Sequence, residues 1–503
     1  MEYSHYKNFY AQSLATLTDF YQLTMSYAYW KSGLDKKKAV CHLFFRTLPF
    51  KGGYAIAAGL ENVIEFLKNF QFDSTDIEFL STLQGANGER LFCDSFFDYL
   101  KSMKFSCDVD AVPEGTVVFP YEPILRIEGP LIQCQILETA FLNLINFSTL
   151  IATKASRLCL AAKGDPILEF GLRRAQGIDG ALTASRSAYI GGCDSTSNVL
   201  AGKMFGIPVR GTHSHSWVMV FDDEMESFET YAKHLPHNCV FLVDTYNTME
   251  GVKKAIKVGK RLRDRGYELL GIRLDSGDLA YLSIESRKLL DEAGFPDAHI
   301  VASNELDESV ISELKKQGAT IAIWGVGTNL VTAKEQPALD GVYKLSAICD
   351  EGEPWKYKLK LSEQMKKVSN PGIHQVRRYR DDNGNVGDAI YDIHTSIDEG
   401  CSIVHPFDPT HTKKFTGDLE YQDLLVPIFR EGVCVYDLPT LEEIRQRTKD
   451  ELSNFSVGVK RFLNPHQYPV GLEQSLYNLK IELVKNIRCK SGHDFIVPEH
   501  SKG

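Results

Sequence analysis

Two histidines stand two residues apart in the stretch I-P-V-R-G-T-H-S-H-S-W, Ile207 to Trp217. Imidazole is the side chain whose neutral, lone-pair-bearing form is available near neutral pH, so it serves as base, metal ligand or nucleophile. The run opens as a strand at Pro208 and Val209 and then carries Arg210, Thr212, His213, Ser214, His215 and Ser216. Because side chains alternate faces along a strand, His213 and His215 are predicted to look into one space. An isolated H-x-H has another reading, with one solvated loop histidine and one hydrogen-bonded wall histidine. The rest of the chain weighs between them.

From about residue 150 the sequence alternates strand, short loop and helix at intervals of roughly 25 to 35 residues, the pattern of βα units in a parallel sheet or barrel. Short apolar strands are predicted at Pro166–Phe170, Pro208–Gly211, Val240–Val243, Leu269–Leu274, Ile300–Ala302, Ile321–Trp324 and Val342–Leu345, as befits strands covered on both faces. Helices are predicted at Met249–Arg265, Leu279–Ala293 and Glu308–Gln317. The polar groups gather at the C-terminal strand ends: Arg173 and Arg174, the histidine pair, Asp244-Thr245, Asp275-Ser276-Gly277-Asp278, Ser303-Asn304-Glu305 and Gly325-Val326-Gly327-Thr328. In a (β/α) barrel that end holds the active site, so six loops would converge on one pocket. Taken singly, Asp278 or Ser303 can cap a helix and Gly325 can make a turn.

Together these groups fit a ligand made of a ring, a sugar and several phosphates. The Gly325–Thr328 turn offers backbone N–H groups and a hydroxyl to a phosphate monoester. Arg173 and Arg273 supply forked donors for further phosphates. Asp275 and Asp278 suit ribose hydroxyls or a magnesium ion. Phe170 offers a flat apolar face to an aromatic ring.

Before this region, Ala15–Tyr29 reads as helix, Ala39–Phe45 as a buried strand and Ile56–Phe66 as helix, with Arg46 in the turn between the last two. Asp19, Tyr21 and Arg46 read equally well as a capping carboxylate, a half-buried aromatic and a surface cation. Beyond residue 350 the chain is more polar, with Lys356, Lys358, Lys360, Lys366 and Lys367 close together, a hairpin signal at Asp381–Asn385, an exposed helix over Leu441–Phe455 and a loosely ordered tail from Arg488. The 503 residues, 43% apolar and 24% charged, allow two or three domains with a large core. A formal charge of -10 argues against a nucleic-acid or membrane surface. With no signal peptide or membrane-long apolar run in view, a cytoplasmic protein is expected. The 11 cysteines lack a C-x-x-C pair and read as reduced thiols, not as disulfides or a zinc site.

The segments T-D-F-Y-Q-L-T-M from Thr18, F-F-R-T-L-P-F from Phe44, E-F-G-L-R-R-A-Q-G from Glu169, G-T-H-S-H-S from Gly211, I-R-L-D-S-G-D from Ile272 and G-V-G-T from Gly325 resemble the nicotinate phosphoribosyltransferase family. K-L-S-E at Lys360 and P-G at Pro371 extend the likeness over most of the chain. The resemblance implies transfer of a phosphoribosyl group from phosphoribosyl pyrophosphate to nicotinate, giving nicotinate mononucleotide and pyrophosphate in NAD biosynthesis by salvage. It further implies ATP as co-substrate with Mg2+, a ligase-type coupling through a phosphorylated histidine, and a homodimer with shared active sites. The implied fold class is α/β: an α+β N-terminal domain over 1–145, an irregular (β/α) barrel over 146–350, and a C-terminal extension over 351–503 packing back on the first domain.

Residue by residue, the resemblance makes His215 the phosphorylated histidine. Phe170 and Tyr21 become the pair sandwiching the pyridine ring, with Tyr21 and Asp19 lent by a partner subunit. Arg173 would meet the carboxylate or phosphate end of the ligands, and Arg273 and Asp275 the phosphoribosyl group. Arg46, Ser276, Gly277, Gly325, Gly327 and Thr328 complete the phosphoribosyl- and phosphate-binding set. His213 departs from the pattern and is a second candidate acceptor. The rival readings are a nicotinamide phosphoribosyltransferase, a metal-dependent barrel hydrolase using H-x-H, and a non-catalytic nucleotide-binding protein.

Overall fold

The computed structural model describes residues 14–364, 367–397 and 400–490. The expectation that Met1 to His5 open no signal peptide, and those for Lys366 and for the tail beyond residue 490, lie outside them. The chain divides into two compact units, one of 147–338 with 440–449, the other of 1–146, 339–439 and 450–503.

The unit holding residues 147–338 is α/β, built on six parallel strands: β1 (Ile167–Glu169), β2 (Ser195–Thr196), β3 (Val240–Leu242), β4 (Gly271–Leu274), β5 (His299–Ala302) and β6 (Ile323–Val326), in the order β2-β1-β6-β5-β4-β3. Their apolar side chains are buried, among them Phe241, Ile272, Leu274, Ile300 and Trp324. The ladder does not close into a continuous ring. Val209 makes a single parallel bridge to Thr196 of edge strand β2, and four residues later the His213 ring accepts the Leu242 N–H of the opposite edge strand β3. Residues 209–213 thus join the two edges without being a strand. Proline at 208 has no N–H for a ladder, which ends the pairing on its N-terminal side, and the predicted strand Pro208–Gly211 is reduced to this bridge.

Three of the following helices start on side-chain caps, which fix where each strand-to-helix loop ends. Asn247 caps Thr248–Arg263, Asp278 caps Leu279–Glu292 and Asp307 caps Glu308–Lys316. The helix Leu441–Ser453 opens on a Thr440/Glu443 capping box. It is not an exposed helix, because Ile444 and Thr448, one turn apart, are buried and Arg445 donates to the Gly192 and Cys193 carbonyls and to Asp194.

The other unit is α+β. Its seven-stranded antiparallel sheet includes Lys38–Phe44 between Leu125–Pro130 and Val342–Cys349. Val342–Leu345, expected beside the parallel strands, belongs here. A six-stranded sheet carries the hairpin His374–Asp381/Gly384–Asp392, whose turn falls on the predicted Asp381–Asn385 signal. The helix expected at Ala15–Tyr29 spans Phe20–Lys31, and that expected at Ile56–Phe66 spans Leu60–Lys68 after a two-residue strand. The last helix, Gln474–Lys490, runs through Arg488, where a loose tail was expected to begin. The stretch Leu131–Ala162 is long and apolar enough to cross a membrane by composition, which corrects the sequence reading, and 67% of its most apolar window is buried in the protein.

Candidate active site

Arg273 sits in β4 and is only 13% exposed; its three donor groups are held by three different segments. Nε donates to Ser303 Oγ at 2.9 Å, Nη1 to Thr212 Oγ1 at 3.2 Å and Nη2 to Asp275 Oδ1 at 3.2 Å. Ser303 closes the loop by donating to the same Asp275 oxygen. The expected alternative for Ser303, a helix cap, is replaced by this bridging role. A guanidinium restrained this way loses little freedom when it meets an anion.

The chain of contacts continues through Asp244, whose side chain is 1% exposed just past β3. Its Oδ2 accepts the Asp275 N–H at 3.0 Å and Ser276 Oγ at 2.6 Å, and its Oδ1 faces His215 Nε2 at 3.2 Å. The His215 side chain is 39% exposed at the first position of the helix His215–Met219. With Nε2 donating to the carboxylate, the neutral ring carries its lone pair on Nδ1. This arrangement suits a nucleophile whose tautomer is fixed by a third group.

His213 differs from its neighbour, and the expectation of two rings sharing one face is corrected. It is 8% exposed, packed against Tyr231 with ring centroids 5.1 Å apart and near Phe228 and Phe241. Nδ1 lies 3.4 Å from the Ser214 carbonyl while Nε2 accepts the Leu242 N–H at 3.3 Å, so both nitrogens are engaged. Burial, helped by the Arg273 charge, pulls its pKa down to about 4, and the ring is neutral at physiological pH. The face alternation fails because the segment is not extended: the chain turns into a helix at His215.

At the neighbouring strand ends, the Phe170 ring lies half-buried with the Arg273 guanidinium 5.5 Å from its centroid. Gly325 is inside β6, not in the turn, and a Cβ there would come within 2.6 Å of the Phe170 ring. Its glycine clears space for that ring; the turn proper starts at Gly327, which caps the short helix Thr328–Val331. Gly277, at φ +82°, makes the turn that places Asp278 as a cap accepting the Tyr281 N–H at 3.0 Å. Asp278 thus caps the following helix, the alternative reading of this residue, with its carboxylate exposed. Arg173 lies exposed on the 3₁₀ turn Leu172–Arg174.

Residues 16–146 match the nicotinate phosphoribosyltransferase N-terminal domain, 166–372 the nicotinate phosphoribosyltransferase family and 373–480 its C-terminal domain. The chain belongs to the nicotinate phosphoribosyltransferase family. A relative in Bacillus subtilis, nicotinate phosphoribosyltransferase, is 43% identical over 95% of this chain and 96% of its own length. The human nicotinate phosphoribosyltransferase is 33% identical over 92% of this chain and 95% of its own. The crystal structure of human nicotinic acid phosphoribosyltransferase superposes with a TM-score of 0.80 at 31% identity, covering 93% of this chain and 99% of that one. A nicotinate-nucleotide pyrophosphorylase from Pyrococcus furiosus gives 0.67 at 25% identity, with 88% and 96% covered.

Three members of the sequence-derived set lie in the other unit. Asp19 stands at the N-cap position of Phe20–Lys31 with its carboxylate bound by Thr139 Oγ1 at 2.8 Å, and Tyr21, two residues on, is exposed. Arg46 follows the strand Lys38–Phe44, its guanidinium 5.9 Å from the Phe44 ring centroid. Sequence reasoning gave no role to Asp244, Thr212 or Glu169. Glu169 is buried and satisfied by Ser185, Thr196 and the Gly171 N–H, so it holds the Phe170 loop to β2. For Asp244 the signal was a carboxylate just after an apolar strand, and for Glu169 one at the end of such a strand, where burial demands donors.

Proposed function

We propose that this protein transfers the phosphoribosyl group of phosphoribosyl pyrophosphate to nicotinate, stimulated by ATP, in cytoplasmic NAD biosynthesis. The observation that carries the reading is the hydrogen-bonded chain Arg273–Ser303–Asp275–Asp244–His215 at the C-terminal strand ends of a member of this family. The pyridine ring stacks on Phe170 with its carboxylate toward Arg173; Arg273 and Asp275 hold the phosphoribosyl group; Ser276 and Gly277 line its path; and the N–H groups after Gly327, with Thr328, take the 5′-phosphate. Gly325 acts by leaving room for Phe170. As the C1–O bond to pyrophosphate breaks, the pyridine nitrogen forms the new C1–N bond through an oxocarbenium-like state, and fixed donors stabilise the departing charge.

ATP enters through His215. The Nδ1 lone pair attacks the γ-phosphorus, the bond to ADP breaks with ADP leaving, and the proton stays on Nε2, hydrogen-bonded to the Asp244 carboxylate. The phosphoryl group adds close to two negative charges at the end of the hydrogen-bonded chain that leads to Arg273. His213 cannot share that role, nor can the two rings chelate one metal, because His213 Nε2 is occupied by the Leu242 N–H. Asp244 is likewise filled by three partners and Asp275 Oδ1 by two. That donor set fits magnesium that arrives on substrate phosphates and touches at most one protein carboxylate, Asp275, and does not fit a resident ion.

Product analysis with nicotinate or nicotinamide, each with and without ATP, tests the reading: nicotinate mononucleotide forms, more with ATP, and equal turnover of the amide would overturn it. The exposed Tyr21 with Asp19 and the Arg46 guanidinium are proposed to complete a partner's site in a homodimer. Mixing inactive Tyr21→Ala and His215→Ala proteins should restore part of the activity; no recovery despite proven subunit exchange contradicts sharing.

A further inference from the structure

Within the unit that contains Arg46, a cleft of about 690 Å³ is formed by the Arg46–Leu48 turn, Phe119–Tyr121, the hairpin segment 403–413 and residues 467–470. Small-molecule sites run to roughly 300–1,000 Å³. The chain has a formal charge of -10, yet the described residues lining this cleft include Arg46, Lys413, His405 and His411 and no carboxylate. Asp408, beside the cleft, is engaged by Thr410 and lies 3.8 Å from His411 Nδ1. Such a cleft attracts an anion.

Its walls are aromatic. Tyr121 and Phe407 meet edge to face at 4.9 Å, and Phe119 stacks on Tyr468 at 4.3 Å. The Phe407 wall is held from within the fold: buried Lys480 donates to the Pro406 carbonyl at 3.1 Å and lies 4.5 Å from the Phe407 ring centroid. His405 Nδ1 accepts the Phe407 N–H at 3.4 Å, which ties the imidazole to the same wall. Lys413 uses one of three donors on the Val386 carbonyl at 2.7 Å. Cationic donors beside rings of fixed orientation recognise a phosphate joined to a flat heterocycle.

We propose that this cleft is a binding site for a nucleoside monophosphate, with the phosphate on Lys413 and His411 and the base against Tyr121 and Phe407. None of these residues belongs to the Arg273 cluster. Arg46 is shared with the substrate-binding proposal, so the test leaves it unchanged.

AMP is titrated calorimetrically into full-length protein. Wild-type and Arg273→Ala proteins should bind it equally, adenosine should bind at least tenfold more weakly, and a Lys413→Ala/His411→Ala double variant should lose at least tenfold. Because Lys413 also contacts Val386, Thr412→Glu, an exposed lining position, provides a second variant that adds a carboxylate and should weaken AMP as much. In the wild type, AMP should slow amide exchange over residues 402–414. The site is refuted if AMP fails to bind, if adenosine binds as tightly, or if Arg273→Ala removes binding that Thr412→Glu retains.

Discussion

Each unit contains an arginine gripping an aspartate, and the two clusters do opposite work. Arg378, 4% exposed, forks onto Asp388, which is fully buried and also accepts Tyr468 at 2.9 Å. Its remaining donors go to Glu451 at 2.9 Å and the Val117 carbonyl at 2.8 Å. Burial and the Asp388 charge push the nearby Glu122 carboxyl well above its ordinary range. Arg378 and Asp388 are spent on protein partners. Around Arg273 the same residue types lie partly open, with Asp275 28% exposed and an imidazole facing out at one end. A polar network is structural when it is sealed, and becomes a site when one side of it stays available to a ligand.

The largest expected effect separates the two clusters. Arg378→Met leaves Asp388 buried without its counter-charge and should cost ~3–5 kcal/mol of stability in urea denaturation. Arg273→Met should change stability by about 1 kcal/mol or less yet lower kcat/KM by ~10²- to 10³-fold. Equal destabilisation by both would erase the distinction.

Next comes pH. His213 has a folded pKa of about 4 against an ordinary 6.5. Between those values the unfolded chain binds a proton that the folded one refuses, so stability falls as pH drops from 6.5 to about 4 and levels off below. The full loss is about 3 kcal/mol. His374, stacked on His42 and lowered to about 4 by burial, adds a like contribution in the other unit. A His213→Asn variant should show a shallower decline by denaturation across this window, and an unchanged slope would contradict the buried neutral ring.

A smaller change tests the ring's resting place. Gly325→Ala brings a methyl against Phe170 and should raise KM for nicotinate about tenfold, a little over 1 kcal/mol, with the fold intact. The least effect is expected at Asp278→Ala, which removes a helix cap worth ~1 kcal/mol and should leave kcat within about twofold. A large activity loss there would return Asp278 to the site.

The sequence made the parallel strands and the polar strand ends legible because buried strands leave short apolar runs and their loops leave dense polar ones. It brought Arg273, Asp275, Ser303 and Phe170 to one place. It failed at the histidine pair, since a strand pattern of three residues could not announce that Pro208 would limit pairing or that a helix would start at His215. It also placed the strand predicted at Val342–Leu345 beside the wrong sheet: a short, partly apolar strand looks alike whether its neighbours are parallel or antiparallel. Asp244 was visible as a strand-end carboxylate, but its role depends on Ser276 and His215, 32 and 29 residues away.

The central claim is that His215, oriented by Asp244, is the residue that ATP phosphorylates. Incubation with γ-labelled ATP, followed by peptide mapping of the acid-labile phosphate, addresses it directly. The label should reside on His215, vanish in His215→Ala and persist in His213→Asn. Phosphate on His213 in the unmodified protein, or ATP-stimulated transfer with no labelled histidine, would contradict it.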